Sequence, residues 1–178
     1  MSIWRSPGLL LLATGALLGL TFPFGKIATA AGVSPYVWAF TVSGGAGAVL
    51  LIAVLASGAA KLRLDGRRAR YFLITALLSY AIPNVLVFSS IPRLGAGFTS
   101  IMFTLSPVLT LALSIAMRLR SPNLLGVAGV GVGFAGAVLV TLTRGEVGRP
   151  ADPLWIGLAL LIPISLAAGN IYRTVDWP

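Results

Sequence analysis

A small number of polar side chains within long apolar stretches of this sequence could bind a solute. Tyr80 and Asn84 lie about one helical turn apart, on either side of Pro83. Ser100 and Thr104 repeat that spacing further along the chain. Apolar pockets orient their ligands through a few such hydrogen-bonding groups. The chemistry that these residues offer is recognition by hydrogen bonding, with no bond made or broken.

Each of these candidates also has a structural alternative. A buried asparagine in hydrocarbon must find a partner, so Asn84 is either a cavity residue or one half of an interhelical hydrogen bond. The hydroxyls of Ser100 and Thr104 either line a cavity or bond back to carbonyls of their own helix. A second row of hydroxyls, at Ser106, Thr110 and Ser114, lies on a different face of the same helix. Asn170 is a further amide in an apolar stretch, and we expect it to face the same centre.

The charged residues add one candidate and exclude several functions. Lys26 is an ionisable residue inside an apolar stretch, so it either binds an anionic or carboxylate-bearing solute or snorkels to the outer interface. The acidic residues lie in loops or at the terminus, at Asp65, Glu146, Asp152 and Asp176. The sequence has no Cys and no His. We therefore expect no enzyme, no metal or other cofactor, and no intramembrane carboxylate for ion coupling.

The elements that must position these residues are membrane helices. Hydrophobic residues make up 57% of the 178 residues, and the charges divide the chain into uncharged stretches of 20 to 34 residues. A bilayer-spanning helix needs about 20 apolar residues. The longest stretch is split at residues 32–35 by a Gly-Val-Ser-Pro breaker. The sequence predicts an all-α, polytopic transmembrane bundle with six spans, at Gly8–Ala31, Tyr36–Leu55, Tyr71–Ser90, Leu94–Met117, Leu124–Leu142 and Leu154–Tyr172.

The basic residues indicate orientation. Nine Lys and Arg residues lie in loops on the N-terminal side of the predicted membrane and three on the other side. The positive-inside rule then predicts a cytoplasmic N-terminus and a multi-pass protein of the cell inner membrane. Because these charges lie in short loops, we expect no nucleic-acid partner. The first apolar run is too long for a cleaved signal peptide, so we expect the first span to be retained.

Proline and glycine indicate how the spans are shaped and packed. Prolines inside the spans remove backbone hydrogen bonds, either as packing adjustments or as markers of a binding site, and they lie at Pro23, Pro83, Pro107 and Pro163. A very short turn at Pro92-Arg93 predicts antiparallel neighbours. Span five aligns four glycines on one face, at Gly126, Gly129, Gly133 and Gly136. We expect that face to pack inside the bundle, with a homodimer interface as the alternative.

Three motifs together resemble the EamA-type transporters of the drug/metabolite transporter superfamily. They are Ser-Ile-Pro-Arg-Leu-Gly-Ala-Gly-Phe-Thr-Ser at residues 90–100, Leu-Ser-Pro-Val-Leu at residues 105–109, and the glycine-rich span five. Gly19, Phe22 and Lys26 stand where that family often has a glycine, an aromatic residue and a lysine. The basic residue often found early in the second helix, the tryptophan of the first and the glutamate after the fourth are absent, which leaves subfamily and substrate open.

The resemblance implies ten helices arranged as two inverted five-helix repeats. Residues 1–150 would form the first repeat, and residues 151–178 would be the first helix of a truncated second repeat. Span six is similar to span one, with Gly169-Asn170-Ile171 in the place of Gly25-Lys26-Ile27. Five is an odd number, so a second copy must be inverted in the membrane.

The resemblance also implies a function. We expect a secondary transporter, an exporter, that moves small metabolites, amino-acid-like solutes or drugs across the bilayer by alternating access. The candidate solute-binding residues are Phe22, Lys26, Tyr80, Asn84, Ser100, Thr104 and Asn170, and spans one, three, four and six would line the cavity. The alternative is a non-transporting membrane subunit, or an inactive half-protein, that associates with another helix bundle through its glycine faces.

Overall fold

A computed structural model describes residues 6–57, 65–119, 123–143 and 152–177, and their regular structure is helical throughout. The helices are α1 (Pro7–Ala30), α2 (Pro35–Ala56), α3 (Gly66–Ala76), α4 (Ile82–Leu94), α5 (Ala96–Thr104), α6 (Ser106–Ala116), α7 (Leu124–Thr143) and α8 (Pro153–Val175). A π-helical turn, Leu77–Ala81, joins α3 to α4. Within the described ranges, five helical segments are long and apolar enough to cross a membrane. The predicted all-α, polytopic bundle is confirmed.

Six segments correspond to the six predicted spans. Span three consists of α3, the π turn and α4 (Gly66–Leu94), and span four consists of α5 and α6 (Ala96–Ala116). Helix α7 carries a shorter apolar segment, Leu124–Leu139. Large apolar side chains are exposed along the outer faces of α1 and α2. Such faces suit contact with lipid, because the side chains are apolar and the helical backbone pairs its own polar groups in hydrocarbon.

Local sequence explains where the helices begin. Proline is the first residue of α1, α2 and α8, a position where its missing N–H is not needed. Asp65 caps α3 by accepting a hydrogen bond from the backbone N–H of Arg68 at 2.7 Å. Asp152 caps α8 in the same way at 2.9 Å. Because a carboxylate stabilises a helix N-terminus, span three begins at Gly66, ahead of its predicted start at Tyr71.

The connection between spans three and four differs from the prediction. Pro92 and Arg93 lie inside the last turn of α4, and the chain turns at Gly95, which has φ 83°. Glycine adopts this left-handed conformation without a steric penalty, whereas other residues do so rarely. The turn predicted at Pro92-Arg93 is therefore wrong. Helices α4 and α5 still contact each other as direct neighbours.

The four prolines predicted inside spans behave in two ways. Pro23 and Pro163 lie within the uninterrupted helices α1 and α8. Pro83 follows the π turn, and Pro107 follows a break at Leu105. Spans three and four are therefore interrupted near their middles, whereas spans one and six are continuous.

The core lies where α8 and α4 meet the neighbouring helices. Among the five membrane-length segments α8 is the most buried, and it packs along α4 and α6. Phe88 of α4 and Ile162 of α8 are fully buried. The ring of Trp38, from the first turn of α2, meets Phe88 edge to face with centroids 6.3 Å apart. Gly25 brings α1 close to the same ring, since a Cβ added there would lie 2.8 Å from Phe88.

Contacts between helix ends show that α8 runs antiparallel to span three. Tyr71, near the start of α3, stacks on Tyr172, near the end of α8, with centroids 5.7 Å apart and an interplanar angle of 25°. At the opposite end, the guanidinium of Arg93 lies 4.7 Å from the ring centroid of Trp155. We call the end with Tyr71 and Tyr172 face A, and the end with Arg93 and Trp155 face B.

Candidate functional site

The π turn in span three directly precedes Ile82 and Pro83, and Pro83 has no N–H to donate. The backbone N–H of Ile82 bonds the carbonyl of Leu77, five residues earlier. If the same five-residue spacing continued, the next hydrogen bond would run from the N–H of residue 83 to the carbonyl of Leu78. Residue 83 is proline, so that bond cannot form. Ser165 of α8 replaces it, and its hydroxyl donates to the Leu78 carbonyl at 2.8 Å. Because a carbonyl in hydrocarbon must be satisfied within the protein, α8 completes the hydrogen bonding of span three.

Gly169, one turn beyond Ser165 on α8, packs against the same interruption. A Cβ added at Gly169 would collide with the Ser79 hydroxyl and would lie 3.3 Å from the Ser79 backbone nitrogen. The Ser79 hydroxyl oxygen is buried and, within the described part of the chain, has no hydrogen-bond partner. The Thr75 hydroxyl, four residues towards face A, is in the same situation. Buried polar groups are rarely left unpaired, so these two hydroxyls need an explanation.

The predicted pair Tyr80 and Asn84 lies at the interruption but diverges. Asn84 is half-buried, and its side-chain nitrogen donates to the hydroxyl of Ser43 on α2 at 2.7 Å. The interhelical hydrogen bond, one of the two alternatives for Asn84, is therefore present. Tyr80 belongs to the π turn and has 54% of its surface exposed. A role for either residue in binding a solute stays a prediction.

Ser100 and Thr104 of α5 bond back to their own helix. The Ser100 hydroxyl donates to the carbonyl of Gly97 at 2.7 Å, and the Thr104 hydroxyl donates to the carbonyl of Ser100 at 2.8 Å. Both side chains are half-buried. The structural alternative is thus realised for both hydroxyls, although each oxygen still has lone pairs that could accept from a solute.

Asn170 belongs to a different set of contacts from Asn84. Its side-chain nitrogen donates to the hydroxyl of Thr110 on α6 at 3.1 Å, and its amide oxygen accepts from Arg173. Asn84 is bonded to α2, whereas Asn170 is bonded to α6. No hydrogen bond in the described chain joins the two amides at a shared centre.

The two candidates on α1 lie towards face B. Phe22 is half-buried, and its ring meets that of Phe103 edge to face with centroids 5.6 Å apart. Lys26, one turn further along, has an exposed side chain. An exposed lysine this close to the end of α1 at Ala30 is what the snorkelling alternative predicts. Binding of an anion by Lys26 stays a prediction.

The glycine face of α7 is open instead of closely packed. A Cβ added at any of Gly126, Gly129, Gly133 and Gly136 would meet no other atom within 4 Å in the described chain. Three of these glycines line an apolar groove of about 580 Å³ together with Leu11 of α1 and Thr104 and Pro107 of span four. The close packing predicted for this face is therefore wrong for the described residues. Of the seven candidate solute-binding residues, Thr104 lines this groove.

Sequence reasoning missed a cluster that ties span three to α8 at face A. The hydroxyl of Tyr172 donates to a carboxylate oxygen of Asp176 at 2.6 Å, and Arg70 pairs with the same carboxylate at 3.5 Å. Tyr71, which is 3% exposed, lies between the rings of Tyr172 and Trp177, each 5.7 Å away between centroids. The only available signal was the four-residue spacing of Tyr71, Thr75 and Ser79 on one face of span three.

Asp176 is held in its ionised form within this cluster. The hydrogen bond from Tyr172 and, beyond it, the positive charges of Arg70 and a neighbouring arginine lower the pKa of the Asp176 carboxyl below its ordinary value, although partial burial opposes them. A carboxyl with a lowered pKa keeps its charge at neutral pH and loses it only on acidification. The cluster therefore retains its ion pair under physiological conditions.

The comparison with known proteins gives one match. The sequence profile of the EamA-like transporter family matches residues 6–142, which include the first five spans. No curated protein and no solved structure matches the chain. The match covers well over half of the sequence, and the helical, membrane-length bundle fits a multi-pass transporter. The chain belongs to the EamA-like transporter family, and so to the membrane transporters of the drug/metabolite type rather than to a family of enzymes.

Proposed function

We propose that this protein is a secondary transporter, an exporter, that moves small metabolites, amino-acid-like solutes or drugs across the cytoplasmic membrane by alternating access. The N-terminus would be cytoplasmic, because nine basic residues lie on its side of the membrane and three lie on the other side. Membership of the family supports transport in general. The substrate class, the direction and alternating access go beyond it.

The observation that carries the proposal is that two neighbouring spans are each interrupted near the middle. The π turn at Leu77–Ala81 divides span three, and the break at Leu105 divides span four. Interrupted membrane helices recur at the binding sites of secondary transporters, where they also allow two halves of a span to move separately. π turns inside helices are frequently found at functional sites.

The candidate residues near these interruptions would contact the solute. Tyr80 and Asn84 flank Pro83 on span three, and Thr104 directly precedes the break in span four. Their hydroxyl and amide groups would orient a polar part of the solute, and the ring of Phe22 would contact an apolar part. The ammonium of Lys26 would attract a carboxylate on the face B side.

A substitution of Asn84 tests this site. We expect Asn84→Ala to lower exchange of a labelled amino acid in proteoliposomes about tenfold, because one hydrogen bond to the solute is lost. Tyr80→Phe, which removes the hydroxyl alone, should also lower exchange. Tyr36→Phe is the matched control, since Tyr36 is an exposed tyrosine in the first turn of α2. A screen of labelled amino acids and cationic dyes would supply the transported solute for the assay.

A second variant separates solute binding from packing. Ser43→Ala removes the hydrogen-bond partner of Asn84 without removing the amide. If Asn84 binds the solute, Ser43→Ala should leave exchange within about twofold of the native rate, because the loss of a single interhelical bond is small. Equal losses in Ser43→Ala and Asn84→Ala would assign Asn84 to packing and contradict the proposed site.

One observation favours a second candidate function. The open glycine face of α7 suits close approach of another helix, as in a non-transporting subunit, or an inactive half-protein, that associates with another bundle. A homodimer through this face remains part of the same proposal. Folded protein that exchanges none of the screened solutes yet co-purifies in a stable assembly would favour this second candidate.

A further inference from the structure

A row of polar and small residues runs between span three and α8, from the π turn to face A. Three direct contacts define it. Ser165 bonds the Leu78 carbonyl, Gly169 packs on Ser79, and Tyr172 stacks on Tyr71. We call this row the polar seam, and it consists of Tyr71, Thr75 and Ser79 on span three and Ser165, Gly169 and Tyr172 on α8. Closer to face B, α8 contributes the apolar residues Ala159 and Ile162 to the buried core.

The inner part of the polar seam is destabilised by two buried hydroxyls that have no hydrogen-bond partner among the described residues. Thr75 and Ser79 each bury a hydroxyl oxygen that has no partner among the described residues. Threonine in membrane helices commonly bonds back to its own helix, as Thr104 does. A buried, unpaired hydroxyl costs free energy that contact with water would recover. The closed seam is therefore less stable than an apolar contact of the same area.

The outer part of the polar seam is held by a charge-assisted hydrogen bond, an ion pair and aromatic packing. The Tyr172 hydroxyl donates to the Asp176 carboxylate at 2.6 Å, and Arg70 pairs with that carboxylate at 3.5 Å across the two helices. The rings of Tyr71, Tyr172 and Trp177 pack together beside this ion pair. We call these five residues the latch. Hydrogen bonds to a charged acceptor are about twice as strong as neutral ones.

We propose that the polar seam is a gate at face A, which the latch holds shut and whose opening admits water to the hydroxyls of Thr75 and Ser79 on the interrupted span. Separation of an apolar contact would expose hydrocarbon to water, whereas separation of this seam supplies partners to unpaired groups. Opposing contributions of this kind produce two states of similar free energy. The inference rests on the proposed transport function, because a gate at one face is what alternating access requires.

The test uses the absence of cysteine from the sequence. A single Thr75→Cys substitution places a unique thiol in the seam, and a charged, membrane-impermeant thiosulfonate reports its access to water in lipid nanodiscs. We expect slow labelling of Thr75→Cys alone and about tenfold faster labelling when Tyr172→Phe is added, because a charge-assisted hydrogen bond is lost while the stacking remains. Arg70→Gln should act in the same direction. Asp176→Asn provides a third way to weaken the latch.

Two controls keep the experiment decisive. Arg68→Gln makes the same change of charge two residues from Arg70, in an arginine that pairs with Asp65 outside the latch, and it should leave labelling unchanged. Ser90→Cys places a thiol at a fully buried position of α4 outside the seam, so faster labelling there would indicate general loosening. The gate is overturned if latch variants leave Thr75→Cys labelling unchanged or accelerate Ser90→Cys equally. If latch variants accelerate labelling of Thr75→Cys but the protein exchanges no solute, the gate is upheld and the proposed transport function is rejected.

Discussion

Gly25→Ala is expected to destabilise the folded bundle by about 1–3 kcal/mol, the usual cost of adding a methyl group to a filled interior. The added Cβ would lie 2.8 Å from two carbons of the Phe88 ring and 3.1 Å from Ile91. The ring cannot move aside easily, because Phe88 is fully buried and also packs against Trp38. Helix α1 would have to shift away from α4 to admit the methyl group.

The same substitution elsewhere on α1 provides the matched control for Gly25. A Cβ at Gly19 would meet no atom within 4 Å in the described chain. Alanine also favours a helix over glycine by about 0.5–1 kcal/mol, so Gly19→Ala should be neutral or slightly stabilising. Melting of purified protein in detergent, followed by size-exclusion chromatography, measures both variants. Equal melting temperatures would show that α1 does not pack on Phe88 closely enough to exclude a methyl group at Gly25.

Gly169 provides a comparison, because it meets span three from α8 as Gly25 does from α1. Its added Cβ would collide with the hydroxyl of Ser79, which can rotate away. The contacts that remain, with the Ser79 backbone nitrogen and Leu78 Cβ, are at 3.3 Å, whereas the contacts of Gly25 with the Phe88 ring are at 2.8 Å. The expected loss for Gly169→Ala is therefore smaller than that for Gly25→Ala. The correspondence of the first and sixth spans, which the similarity of Gly25-Lys26-Ile27 and Gly169-Asn170-Ile171 indicates, stays a prediction. Both glycines allow close approach to span three.

Much of the fold was predictable because a bilayer imposes a length and a polarity on each span. The charges and the breaker at residues 32–35 predicted six spans, and α1 and α2 match their predicted positions to within one or two residues. The errors arose where a single local interaction decides the boundary. The Asp65 cap extends α3, and the left-handed φ of Gly95 moves a turn. Hydropathy contains no information on either.

The candidate site was less predictable because its partners are distant in sequence. The sequence predicts two alternatives for Asn84, and the choice between them depends on Ser43, which lies on another span. The back-bonding of the Ser100 and Thr104 hydroxyls is predictable as an alternative, because that interaction is local. The bond between Ser165 and the Leu78 carbonyl connects residues 87 apart in sequence. It follows from Pro83 only once the π register and the position of α8 are known.

Ser165→Ala is expected to destabilise the protein by about 1–3 kcal/mol, because it leaves the Leu78 carbonyl without a donor in hydrocarbon. The cause of that dependence is Pro83, which cannot supply the N–H that the π register requires. Pro83→Ala restores a backbone N–H at residue 83. In that background, the new N–H can donate to the Leu78 carbonyl, and the cost of Ser165→Ala should fall to a few tenths of a kcal/mol.

A double-mutant cycle of these two substitutions, measured by unfolding in mixed micelles, gives the coupling directly. Ser90→Ala is the control serine, since its buried hydroxyl has no partner in the described chain, and its removal should cost nothing or stabilise. Additive costs for Ser165→Ala and Pro83→Ala would show that Ser165 acts independently of the interruption. Coupling would show that span six substitutes for a missing backbone donor in span three, so that any movement of α8 must also release the helix interruption it completes.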